Sequence, residues 1–236
     1  MLGGLISYAL LAALATALLF AAITDLRRRE IDNWLNLAIA LSAPLYWLAA
    51  GLDWVGVLFQ VVLALLTFLV ACCLFAMRQM GGGDVKLLTA LALWFVPGSF
   101  VQLIVIMGVL GGGASIAMAV FNMQRLPHEA VRNGLSTVVA ALWVLGACTL
   151  VYGAATGQPM LAPPAIAKVL AMVPAGWLLM VIGLAAMGLF AVGLGHIFRR
   201  QRGAIEIPYG VAISAAGLWV LLQDAIPQPL SSALHG

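Results

Sequence analysis

The sequence predicts an all-α polytopic membrane protein. Three observations carry that: 64% hydrophobic residues, only 8% charged residues, and a mean hydropathy of +1.13. A soluble domain carries about 25% charged residues. With so few polar side chains there is no water-facing surface to build, so lipid must be part of the solvent. Apolar runs fall at 4–24, 34–52, 55–77, 85–96, 99–121, 135–153, 172–197 and 205–223. A span needs roughly 20 apolar residues, and only 85–96 is short. Strand-like alternation is absent, and lipid leaves backbone groups no partner outside a helix or closed barrel. Each run therefore predicts a helix, and the whole predicts one integral membrane domain over 1–236.

The breaks between runs carry charge or turn residues. Asp25 to Asn33 closes the first run, and its Arg27-Arg28-Arg29 flank marks a first span, not a cleavable leader. Gly51-Leu52-Asp53 and Pro97-Gly98 are turns, and Gly81-Gly82-Gly83-Asp84 precedes the short run. If the chain alternates sides with its N-terminus outside, Arg27, Arg28, Arg29, Arg78, Lys86, Arg125, Arg132, Arg199, Arg200 and Arg202 share one face, and only Lys168 faces the other. That bias fixes the cytoplasmic side. It supports eight transmembrane helices with both termini outside; a variant with six, and two re-entrant or interfacial runs, stays open. The basic residues form short loop clusters and no extended face for nucleic acid.

Cys72, Cys73 and Cys148 lie inside apolar runs with no CxxC pair, so they read as small apolar residues. No His-x-x-x-His pair suggests a metal, and no Gly-x-Ser-x-Gly elbow suggests a serine hydrolase. His196 reads as interfacial, and His128 and Glu129 as loop residues. No metal or organic cofactor is called for.

Two acidic residues stand apart. Asp25 ends the first run and Asp84 opens the fourth, both at the predicted cytoplasmic rim. A carboxylate there needs a cavity or a partner. If the two meet, like charge forces their protons apart: one ionises and one stays protonated. The ionised member can activate water and the protonated member can polarise a carbonyl, which is aspartyl proteolysis. Asp53 and Asp224 read as caps or solvated loop charges on the opposite side. Gly81, Gly82 and Gly83 are expected to allow positive φ and close backbone approach beside Asp84; a simple glycine turn with Asp84 as helix cap is the alternative. Lys86 is either an interfacial anchor or a holder of negative charge in the site. Asn33 is expected to cap the second helix.

Three stretches together resemble the prepilin (type IV leader) peptidases, within the GxGD group of intramembrane aspartyl proteases. Asp25 to Asn33 is similar to the family's Asp, five residues, then Ile-Pro-Asn, with Asp32 where the family has Pro. Gly81-Gly82-Gly83-Asp84-Val85-Lys86-Leu87 is similar to Gly-x-Gly-Asp followed by Val-Lys-Leu. Ile207-Pro208-Tyr209-Gly210-Val211-Ala212-Ile213 is similar to the late Pro-Tyr-Gly segment. The resemblance implies Asp25 and Asp84 as the catalytic pair, with Gly81, Gly83, Lys86, Asn33, Pro208, Tyr209 and Gly210 shaping the site or binding substrate. It implies a multi-pass protein of the bacterial inner membrane that cuts the basic leader from prepilins or pseudopilins at the cytoplasmic face. Without a cysteine-rich insert, the chain resembles the short, peptidase-only type of Flp (tight-adherence) pilus systems. Two rivals differ in class. A cation-coupled secondary transporter also uses glycine-broken helices with acidic ends, but near the midplane. A non-catalytic assembly subunit would not need both aspartates.

Overall fold

The computed structural model describes residues 2–124, 129–156, 176–202 and 209–225. Among them are eight helices: α1 (Leu2–Arg28), α2 (Asn33–Ala50), α3 (Trp54–Ala76), α4 (Gly82–Ala92), α5 (Pro97–Phe121), α6 (Ala130–Thr156), α7 (Gly176–Arg199) and α8 (Tyr209–Ala225). Each expected apolar run holds one helix. The described residues contain no strand, only an isolated antiparallel bridge between Met123 and Gln201.

Among the described residues, four stretches are long and apolar enough to cross a membrane: Gly4–Arg28, Trp54–Ala76, Pro97–Phe121 and Ala130–Gly153. At 11 residues, α4 is about 16 Å long, roughly half the hydrocarbon thickness. It is shielded by protein instead, with Leu87, Leu88, Leu91 and Ala92 all buried. The lipid-facing pattern is clearest on α3. Leu58, Phe59, Leu65, Leu66 and Leu69 are exposed, while Gln60, Ala64 and Ala71 are buried. Large apolar side chains outside and small ones inside is the arrangement a helix adopts in lipid, where close packing rather than water exclusion holds helices together. The chain is a multi-pass membrane protein.

Local signals explain the ends. The Asp53 side chain accepts the Gly56 N–H at 2.8 Å and caps α3, as expected of it. Gly51 closes α2 in the left-handed region at φ 72°, where glycine meets no Cβ penalty. Arginines end α1 and α3: Arg29 and Arg78 adopt φ 57° and 58°, a conformation uncommon outside glycine. Arg27 and Arg28 fill the last turn of α1, where cations suit the carbonyl end of a helix.

The chain groups into two compact units. One comprises Met1–Gly108 with Pro208–Gly236, and the other Val109–Ile207. In the first, α1 packs on α2 and α8, and α4 packs on α2, α3 and α8. Its centre is formed by Leu18, Leu87, Leu91, Leu103, Ile213 and Val220, all fully buried. In the second, α6 packs on α7, and Ile116, Val120, Met123, Ala140 and Ile197 form its core.

Candidate active site

Asp25 sits in the last turn of α1 and is only 5% exposed. The preceding Thr24 is satisfied within its own helix, donating to the Phe20 and Ala21 carbonyls. Asp25 points at the start of α8: its Oδ2 accepts the Val211 N–H at 3.0 Å. The first N–H groups of a helix have no partner inside it and carry partial positive charge, so they hold a carboxyl well.

This approach requires glycine at position 210. A Cβ there would lie 2.7 Å from Ile31 Cδ1, 2.8 Å from Asp25 Oδ2 and 2.9 Å from Asp25 Cγ. Tyr209 opens α8 beside it. Pro208, expected to shape the site, lies outside the described residues.

Asp84 stands in the first turn of α4, outside the four spans, and is 8% exposed. Its Oδ2 accepts the Gly81 N–H at 3.3 Å. Burial, reinforced by the nearby Asp25 charge, pushes its carboxyl up to about 6, against the opposing pull of the Gly81 N–H. The two expected carboxylates are therefore brought within electrostatic reach of each other, from the end of one helix and the start of another.

Ile31 is the hinge of this convergence. It is buried between α1 and α2. Besides meeting Gly210, it lies where a Cβ on Gly83 would come within 3.3 Å of its own Cβ and 3.4 Å of its backbone nitrogen. One side chain thus sets how closely both α4 and α8 approach the Asp25 loop.

The expected positive φ in the glycine run does not occur. Gly81 adopts φ −74°, and the only positive-φ glycine among the described residues is Gly51. The glycines act through missing side chains instead. Gly83 admits Ile31, and a Cβ on Gly81 would press to 3.0 Å from Asp84 Oδ2.

Asn33 is not the cap of α2; Asp32 precedes the helix and makes no side-chain capping bond. The Asn33 Oδ1 instead accepts from Lys86 Nζ at 2.6 Å, joining α2 to α4. One turn on, Asn36 Nδ2 donates to the Gly83 carbonyl at 3.4 Å. Ile31 and Val211 lie in motif stretches, but sequence reasoning assigned neither a site role, and Asn36 was passed over altogether. A single signal existed for Asn36: an amide one turn after Asn33 within an apolar run.

The second unit holds a polar cluster of its own. Glu129, 11% exposed in its side chain, accepts from Arg200 Nη2 at 2.6 Å, with Arg132 at 4.0 Å and His196 at 3.9 Å. His196 also bonds Asn133 at 3.1 Å. Glu129 and His196, expected to be loop and interfacial residues, are thus members of a network beside a cavity of about 700 Å3. His128 lies outside the described residues.

Residues 12–116, a little under half of the 236-residue chain, match the model of the type IV leader peptidase family. No curated protein and no solved structure matches the chain. The matched stretch contains Asp25, Ile31, the glycine run, Asp84 and Lys86, and ends within α5 before Tyr209 and Gly210. With both carboxylates and their glycine run inside it, the matched stretch is similar to the type IV leader peptidase family.

Proposed function

We propose that the protein is an intramembrane aspartyl endopeptidase that removes the short basic leader from prepilins or pseudopilins. Asp25 and Asp84 are its catalytic pair, and cleavage takes place at the cytoplasmic face of a bacterial inner membrane. The observation that supports this reading is that Asp25 and Asp84 are both buried and lie within electrostatic reach of each other, inside the stretch that matches a leader peptidase family.

The chemistry follows from the asymmetry of the pair. Asp84 holds its proton more tightly than an ordinary carboxyl, so it is the member that hydrogen-bonds the scissile carbonyl. Asp25, anchored by the Val211 N–H, acts as general base on the attacking water. The proton it takes passes to the leaving amine as the tetrahedral intermediate collapses. Gly81, exposed at the start of α4, puts no side chain in the way of a substrate backbone. Nothing in the site favours the transport alternative.

Asp25→Asn and Asp84→Asn, each inserted and folded, should lose about 10²–10⁴-fold in cleavage of a co-expressed prepilin. Asp53→Asn, on a different helix end, should cleave as the wild type does. Cleavage surviving in either of the first two variants would remove the assigned pair.

A further inference from the structure

A cavity of about 370 Å3 lies between α2, α3 and α4. Its rim is polar, formed by Asn33, Asn36 and Lys86, and its walls are apolar, including Leu37, Phe68 and Leu93. Leu37 and Phe68 are exposed, so the cavity opens sideways toward lipid. A volume of this size falls in the range of about 300–1,000 Å3 that small-ligand pockets occupy.

Asn36 is the residue that the proteolytic chemistry leaves unused. It is 4% exposed. Its Nδ2 reaches the Gly83 carbonyl, but its Oδ1 is buried with no hydrogen-bond partner. A buried acceptor without a donor destabilises the fold, and this one belongs to a residue that lines the cavity and is bonded to Gly83, the residue before Asp84. What satisfies both the acceptor and the apolar walls is a segment with an N–H beside a hydrophobic side chain. A peptide backbone has that composition, and an acyl chain lacks the donor.

We propose that the cavity is a substrate subsite. An apolar side chain flanking the scissile bond fills it, and a main-chain N–H of the substrate donates to Asn36 Oδ1. The inference rests on the aspartyl peptidase reading of Asp25 and Asp84. The Asn36 bond to Gly83, the residue before Asp84, places the bound main chain alongside the carboxyl pair. The Lys86–Asn33 bond borders the opening. Substrate enters from the bilayer, where the apolar part of a prepilin already resides.

The test uses the full-length protein in proteoliposomes and a synthetic peptide with a basic leader followed by an apolar segment. Asn36→Leu, nearly isosteric, should raise KM about tenfold, the effect of one lost hydrogen bond at its upper range, with kcat within about twofold. Its Tm should change little, because the variant loses the unsatisfied Oδ1 together with the Nδ2 bond to the Gly83 carbonyl. Ala40→Phe, which fills the cavity, should raise KM for a bulky apolar flanking residue far more than for alanine there. Binding of the uncleaved peptide to Asp25→Asn protein should weaken on adding Asn36→Leu, which reads the subsite without catalysis. Wild-type KM in both cavity variants would overturn the subsite. So would a falling Tm in Asn36→Leu with KM unchanged, or a native mass spectrum in which Ala40→Phe only displaces lipid. Retained cleavage in Asp25→Asn would instead overturn the catalytic reading, leaving the binding measurement to judge the subsite separately.

Discussion

The Val211 N–H donates to Asp25 Oδ2 across 186 positions of sequence, fastening the start of α8 to the end of α1. The bond exists only because position 210 has no side chain. Gly210→Ala should therefore drive the two helix ends apart, with an overpacking penalty of about 1–3 kcal/mol and at least a tenfold loss of cleavage. Ile31→Val removes the Cδ1 atom that the new methyl would strike first, so the double variant should recover part of the loss. Gly83→Ala, whose Cβ would meet Ile31 at 3.3 Å, should be milder. Cleavage rates and melting temperatures of the four proteins order these effects.

The Asp84 carboxyl should titrate with a midpoint of about 6, readable as a protonated-carboxyl infrared band that disappears as pH rises. Its raised value means the protonated form persists below that pH and is lost above it. Cleavage that uses this proton should fall on the alkaline limb through the same midpoint. In Asp25→Asn the midpoint should move down but stay above the ordinary carboxylate range. Burial is the larger cause and survives the substitution; an unmoved midpoint would show that the two carboxyls do not interact.

Asp32 adopts φ −60° and ψ 135°, the region in which a proline ring already holds the backbone. The departure from the family's Ile-Pro-Asn therefore leaves the turn in the conformation proline would give. Asp32→Pro should fold normally and gain about 0.4–1 kcal/mol, by restricting the unfolded chain. Thermal melting against the wild type measures this, and a destabilised variant would show that the turn differs.

In the second unit, Glu129→Gln should destabilise by about 1–3 kcal/mol, because Arg200 loses a charged acceptor at 2.6 Å within a partly buried network. Cleavage per folded molecule should not change, since Glu129 is no part of the proposed peptidase chemistry. Chemical denaturation paired with a cleavage assay separates the two effects.

The helices were legible because lipid imposes a single rule on every span, and apolar runs bounded by charge report it directly. Asp25 and Asp84 stood out for the same reason: ionisable groups at helix ends in a chain with so few charges are conspicuous. The role of Ile31 was hidden, since one isoleucine among many apolar residues carries no local signal of touching two glycines far apart in sequence. The glycine run was read for its backbone freedom, whereas Gly83 and Gly210 serve by the volume they leave empty. That is a tertiary property, invisible until the neighbour is known. Asn33 looked like a cap because its position suited one; its partner, Lys86, is 53 positions away. The grouping into two units also left no mark on composition, since α5 runs unbroken through the boundary between them.

The short helix α4 is pinned to α2 along its whole length. At one end are the Lys86–Asn33 and Asn36–Gly83 bonds. At the other, the Trp47 indole donates to the Leu93 carbonyl and the Trp94 indole to the Ile39 carbonyl, each at 2.8 Å. Stitched at both extremities, the two helices form a rigid cradle whose shape does not wait for an occupant. In the proposed subsite, little ordering entropy is then lost when a substrate segment settles against them, and a mould cast beforehand would select among incoming chains.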